Sequence, residues 1–484
     1  MGEKLQKIRG LESFGGPFWL AVILACQTLL VLLATIDWKL SAALIVSVLT
    51  FVFAIRYPIA AILLLVAGRI LSTGSLSFLR IGGMNIGLFE PMLLLALVVA
   101  VHHAMHHRLS LAMSFPWRTP LLLFLAWQSM GLLWAYRASV GIQEVVAVCI
   151  IFTTTTLILA FVQDFERFRL VMWAWIGASV FVGLLSMTVQ FSGMSFEIAA
   201  GGGRETGLGQ QPNWFAMNLM FGVLISFALA FTYRSFAVRV VLAMMGLFVF
   251  FCLLRSGSRG GAYSIVIGAG LMALANPVFR KWMFRFAMLG VLVFAYQITL
   301  GGDESTRKAF MRIWLNLDSL WRSDVRVRNW VACMEMFQDT YGVGIGPGGY
   351  AQVIQHYDWK IYESIHRYPH GIIWGLIAHY GVIGVGFALW LIVCVAKMAK
   401  TLVKQTKGSS WEPFAWAMPA TIFAYFAWSV VEFNFDDKPF WEFLALFTAL
   451  YLCVQRSLKN GEALPRHTAE DKPFPWQSKR GERV

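Results

Sequence analysis

The chain has 484 residues, 58% of them hydrophobic and 14% charged, with a formal net charge of +14. Soluble domains run at about 45–50% apolar and about 25% charged, so the composition excludes a soluble enzyme, a disordered protein and a disulfide-stapled secreted module. Apolar runs recur from residue 18 to residue 456, several of them near the ~20 residues that cross a bilayer. They predict an all-α, polytopic integral membrane protein. The basic excess reads as positive-inside bias rather than as nucleic-acid binding. The six cysteines stand singly, without a C-x-x-C pair, and form neither a disulfide framework nor a zinc site.

Lys4, Lys7 and Arg9 precede the apolar run Phe18–Ile36. The run is long and lacks a clear small-x-small cleavage site, so it is expected to be retained as a first span. Further spans are predicted at 41–55, 58–71, 88–103, 119–134, 142–162, 170–191, 213–232, 240–255, 260–275, 286–300, 370–396, 414–431 and 439–456. Arg56-Tyr57-Pro58 is either a turn or a kink, which leaves 12–14 spans. Arg234 and Arg239, the segment 276–285 with Arg280, Lys281 and Arg285, and the segment 397–413 with Lys397, Lys400, Lys404 and Lys407 all fall on one side. That side is cytoplasmic, and both termini are expected there. The tail 457–484 is polar and cytoplasmic.

The outer side carries the long segment 301–369, with 8 basic and 8 acidic residues. It holds Trp314, Trp321, Trp330 and Trp359, too apolar for disorder. Short helices on the outer membrane face are expected.

Arginines on the outer side run against the positive-inside bias. Arg204 lies in a glycine-rich stretch, Gly201 to Gly207, before Pro212-Asn213. Pro212 suits the first position of a helix, whose free N–H groups favour an anion. Arg255-Ser256-Gly257-Ser258-Arg259-Gly260-Gly261 lies between two apolar runs. Arginines at that depth are expensive unless paired or facing a cavity, and the small residues would let a turn approach a ligand. Arg326 and Arg328 open an amphipathic helical stretch, and a guanidinium binds phosphate in a planar fork. The competing readings are lipid-facing arginines, snorkelling to the interface, and a solvated helix face partnered by Asp324 and Glu335.

His370 follows Tyr368-Pro369 and heads the span that opens at Gly371. A histidine there can accept a proton at working pH; the competing reading is a histidine satisfied by interfacial tyrosines. His356 and His366 are weaker candidates, and His379 reads as structural. The glycine run Gly342 to Gly349 lacks the βαβ context of a nucleotide loop and reads as a tight turn. His102, His103, His106 and His107 have zinc-compatible spacing, but no acid or cysteine stands nearby, and an interfacial anchor is favoured. Gln190, Gln297, Glu90 and Glu144 read mostly as bundle hydrogen bonds. The outer side holds no Asp-x-Asp or other dense acidic cluster, only adjacent pairs such as Asp436-Asp437, which argues against a metal-dependent diphosphate enzyme.

In this order and placement the motifs over roughly residues 200–400 resemble the O-antigen ligase and O-antigen polymerase superfamily of bacterial envelope polysaccharide biosynthesis. The resemblance rests on Arg204 with Pro212-Asn213, the turn Ser256 to Gly261, Arg328-Asn329-Trp330 through Phe337, Gly342 to Gly346, Pro369-His370-Gly371 through Trp374, and Tyr380-Gly381-Val382-Ile383-Gly384. It implies 1–200 as N-terminal transmembrane helices, 201–400 as the catalytic region with the periplasmic loop 301–369, and 401–456 as C-terminal helices. It implies a glycosyltransferase of the bacterial inner membrane, with its site facing the periplasm. The donor would be a glycan on undecaprenyl diphosphate. The acceptor would be a glycan, a lipid A core or a protein, so lipopolysaccharide or exopolysaccharide would be the product. No cofactor or metal is implied: Arg204, Arg259 and Arg328 would hold the diphosphate, and His370 with Arg328 would be catalytic. Family members commonly carry Asn after the motif histidine; here Gly371 stands there. Ligase and polymerase differ only in acceptor and remain open, with a ligase-type protein favoured. The alternative is a polysaccharide or lipid-glycan flippase, which predicts inverted repeats and midplane ionisable residues; a non-catalytic scaffold is a third reading.

Overall fold

Long apolar runs without internal polar breaks can satisfy their backbone only as helices when water is excluded, and helices dominate the chain. The computed structural model describes residues 38–71, 79–81, 84–106, 109, 114–188, 212–296, 313, 324–363, 368–430 and 438–464. The predicted run 18–36, Arg204, His107, His366, Gln190, Gln297, Asp436, Asp437 and most of the tail lie outside them. Residues 1–61 and 62–484 form two compact units.

The first helices are α1 (Trp38–Arg56) and α2 (Ile59–Leu71). The chain breaks between them at Tyr57-Pro58, so the ambiguous tripeptide is a turn. A two-stranded antiparallel hairpin, β1 (Leu79–Ile81) and β2 (Met84–Ile86), follows. Then come α3 (Phe89–Met105), α4 (Arg118–Gly131), α5 (Ala138–Phe161), α6 (Phe165–Thr188), α7 (Pro212–Thr232), α8 (Phe236–Arg255), α9 (Arg259–Ala275) and α10 (Pro277–Tyr296). In the long outer segment lie α11 (Asp324–Asp339), α12 (Tyr350–Val353), a 3₁₀ turn (Ile354–His356) and α13 (Trp359–Glu363). The chain closes with α14 (Ile372–Thr406), α15 (Glu412–Ser429) and α16 (Lys438–Lys459). Among the described residues five helices, α5, α6, α7, α8 and α14, are both long and apolar enough to cross a membrane. The protein is an all-α, polytopic membrane protein.

Helix ends follow local chemistry. Pro212 does open α7. The segment 276–285 is helical instead of a loop, because Pro277 supplies a favourable first residue for α10. At the start of α6 the Asp164 carboxylate accepts from the Arg167 N–H at 2.8 Å, so that helix also begins earlier than its apolar run. Helix α14 continues ten residues past the predicted 396 to Thr406. Nothing stops it until Gly408, whose φ of 76° suits a helix end.

Helix α7 is buried over nearly all its length and is the centre of the bundle. Small residues let its neighbours approach, as expected where helices pack without a solvent-driven force. A Cβ on Gly222 of α7 would lie 2.6 Å from Ser179 Oγ of α6, and one on Gly261 of α9 would lie 2.7 Å from the Ala216 Cβ of α7. The outer segment has its own apolar core: Cys333, Met336, Ile354 and Ile361 pack together with Tyr350 and against Ala378 of α14.

Candidate functional site

Three of the four sequence-derived residues, Arg259, Arg328 and His370, fall among the described residues; Arg259 and His370 each adjoin a glycine packed against the end of α15, and Arg328 lies on the helix hydrogen-bonded to the His370 carbonyl. Helix α11 carries Arg328 in its first turns. Two residues on, the Trp330 indole N–H donates to the backbone carbonyl of His370, and its ring stacks on Trp374 of α14, centroids 5.7 Å apart and 19° between planes. Helix α11 is thereby latched to the entrance of α14. His370 itself is 4% exposed. The Tyr368 ring covers it, with centroids 4.3 Å apart.

Gly371 connects this segment to α15. Its φ is 131°, a conformation reserved for glycine, and a Cβ there would lie 2.6 Å from the Val430 carbonyl oxygen. No side chain fits at 371 without moving the end of α15. Two residues before Val430, Trp428 packs on α9, where a Cβ on Gly260 would meet the indole at 2.4 Å. Arg259, the first residue of α9, and His370 thus share the C-terminal end of α15.

The turn before Arg259 is built from caps. Gly257, with φ 62°, ends α8. Ser258 caps α9 by accepting from the Gly261 N–H at 3.3 Å, and its own N–H donates to Ser256 Oγ at 3.1 Å. The small residues at 260 and 261 were expected to admit a ligand; what approaches them is Trp428 and Ala216, so they serve helix packing. Arg255 lies with its guanidinium 5.9 Å from the Phe251 ring centre.

Arg328 is held from the side the sequence did not indicate. Asp358 forms an ion pair with it, in a two-point clasp with Nε donating at 2.7 Å to Oδ2 and Nη2 donating to Oδ1. Burial pushes the Asp358 carboxyl up. The Arg328 guanidinium and the backbone N–H groups of Ile361 and Lys360 outweigh it and hold the carboxyl below its usual value. The clasp fixes the plane of the guanidinium on one edge. Burial pushes the Cys333 thiol up to about 12, so this cysteine stays protonated. His356 is exposed, with Nε2 3.2 Å from Gln355 Nε2.

The glycine run after α11 is a turn of unusual density. Gly342, Gly344, Gly346 and Gly348 all have positive φ. It docks on a break in α14 at Gly381, whose φ is 59°. The carbonyls freed by the break are taken up one by one. Ile345 N donates to Ala378 O at 2.9 Å, Gly346 N to His379 O at 3.0 Å, and Trp127 Nε1 to Tyr380 O at 3.1 Å. Two sequence motifs far apart, the glycine run and Tyr380-Gly381, are one joint.

In α3 and just beyond it, His102 packs edge-on against His106, with ring centres 4.6 Å apart. Among the described residues no three His, Cys, Asp or Glu side chains are grouped as a metal site would require.

Fold and candidate site together define a helical membrane protein in which the helix of Arg328 is latched to the His370 carbonyl. No family model matches the chain. It is 22% identical over 375 residues to the teichuronic acid biosynthesis protein TuaE of Bacillus subtilis (strain 168), an alignment covering 72% of this chain and 74% of that protein. A chain from a solved structure described as "Structural coordination of polymerization and crosslinking by a peptidoglycan synthase complex" superposes with a TM-score of 0.41 and 16% identity, over 70% of this chain and 97% of that one. At that score the likeness carries no argument.

Proposed function

We propose that this protein is a membrane glycosyltransferase of envelope polysaccharide biosynthesis. It moves a glycan from an undecaprenyl-diphosphate-linked donor to an acceptor hydroxyl on the outer side of the bacterial inner membrane. The observation that supports it is that Gly260 and Gly371, next to Arg259 and His370, both pack against the end of α15, and that Trp330, on the helix of Arg328, donates to the His370 carbonyl. The similarity to a teichuronic acid biosynthesis protein favours polymer construction as the setting.

In this reading Arg328, Arg259 and Arg204 neutralise the diphosphate, the leaving group. The acceptor oxygen bonds to the anomeric carbon as the bond from that carbon to the diphosphate oxygen breaks. The hydroxyl proton passes to the His370 imidazole. Negative charge develops on the departing diphosphate as the transition state forms, and donors preorganised toward that charge lower the barrier; Asp358 preorganises one of them. The arginines supply the charge that a metal ion supplies in other diphosphate chemistry.

Deletion and complementation, read by gel analysis of surface glycans, test the proposal. Accumulation of lipid-linked polymer, absent from its final acceptor, assigns a ligase. Single repeat units alone assign a polymerase. A normal glycan pattern in the deletion strain would overturn the reading.

A further inference from the structure

Below the glycine turn, the described residues hold a second group of ionisable side chains that the transfer chemistry does not use. Glu144 of α5 accepts a hydrogen bond from Tyr380 Oη at 2.5 Å. Gln128 Nε2 of α4 donates to the same phenol oxygen at 2.7 Å. His379 Nδ1 lies 3.8 Å from Glu144 Oε2. The ring of Tyr350 stacks on His379, with centroids 6.2 Å apart and 11° between planes. The Tyr350 hydroxyl donates to Asn329 Oδ1.

Ionisable groups inside a helical bundle are costly and mark function more often than packing. The ordinary role for this group would be to cap the break at Gly381. The backbone accounting removes that role, because Ile345, Gly346 and Trp127 already satisfy the three freed carbonyls. What the side chains do reach is Asn329, fully buried and adjacent to Arg328 in the same helical turn. The contacts therefore run from a carboxylate in α5, through the broken helix α14, to the helix that carries the arginine.

We infer that Glu144, His379 and Tyr350 are positioning residues that set where α11 presents Arg328. The inference rests on the donor-binding reading of Arg328 given above. Small displacements of a group that stabilises a transition state cost rate out of proportion to their size. A chain of packed and hydrogen-bonded side chains is the usual carrier of such coupling.

The test is a mutant cycle in purified full-length protein, with transfer from a short-chain lipid-diphosphate donor as the readout. Tyr350→Phe keeps the ring on His379 and removes only the hydroxyl. Glu144→Gln keeps the shape and removes the charge. Each is expected to lower kcat by about tenfold, with acceptor KM, membrane abundance and melting temperature unchanged. Added to Arg328→Lys, Tyr350→Phe should cost less than about twofold more, because coupled groups are not additive. Multiplying losses would mean that the tyrosine acts independently of Arg328 and would overturn the inference while leaving the donor site intact. Full activity in Tyr350→Phe would do the same, whatever Glu144→Gln does to folding. Full activity in Arg328→Lys would overturn the donor reading, and the positioning role with it.

Discussion

The Trp330 indole N–H and the His370 backbone carbonyl form a hydrogen bond that latches α11 to the entrance of α14. It joins residues 40 positions apart and makes one unit of the arginine helix and the histidine. Trp330→Phe keeps an aromatic ring against Trp374 and deletes the donor. Losing one such bond costs about 1 kcal/mol net, more where a buried carbonyl is stranded. The variant should insert and accumulate normally but transfer glycan more slowly, by roughly an order of magnitude. A transfer assay on equal amounts of membrane protein checks it.

Glycines in the same helix should respond in opposite ways. A Cβ at Gly381 would lie 1.9 Å from the Gly342 carbonyl oxygen, whereas one at Gly386 meets nothing within 4 Å. Gly381→Ala should sharply reduce the folded protein recovered in detergent. Gly386→Ala should leave recovery unchanged or raise stability, by up to about 1 kcal/mol, as alanine replaces glycine within a helix. Thermal unfolding of both variants separates the two cases.

The Arg328–Asp358 clasp predicts an acid dependence. The folded-state carboxyl is held below its ordinary value, so its contribution is complete above the unfolded-state pKa, near ~3.9. It is lost as pH falls through the lower folded-state value. Asp358→Asn should therefore lower the melting temperature at neutral pH and converge on the wild type below about pH 3. Parallel melting curves at all pH values would refute the assignment.

A buried ion pair joins α2 to α16: Arg69 Nε donates to Glu442 Oε1 at 3.1 Å, across 373 residues of sequence. The guanidinium also lies over the Phe89 ring, 3.1 Å from its centre. Removing one partner strands the other charge, at a typical cost of about 3–5 kcal/mol. Arg69→Met should destabilise strongly. Arg69→Met with Glu442→Leu should recover most of the loss, because an apolar pair of similar volume is often neutral. Detergent-solubilised thermal stability of the three proteins decides it.

The spans were legible because an apolar run of membrane length has few alternatives to a helix. The turn at Ser256-Gly257-Ser258 was legible because a glycine end and a serine cap have local signatures. The break in α14 was not, since Gly381 sits in a run that reads as continuous and its cause, the glycine turn, lies about 40 residues earlier. For the same reason the site was only half visible. Arg328 and His370 stand out by residue type. Asp358 could not be picked out as a partner, because sequence proximity points to Asp324 and Glu335 instead. Glu144 and Tyr380, 236 residues apart, read singly as ordinary bundle polarity.

In the proposed reaction Arg328 and His370 act in one site. The most direct measurement is glycan transfer by Arg328→Ala and His370→Ala, each purified, with folding checked by melting temperature. Removal of a transition-state donor typically costs about 10²–10³-fold in rate. Both variants should lose at least that much while remaining folded in the membrane. Wild-type polymer length and yield from either folded variant would contradict the assignment.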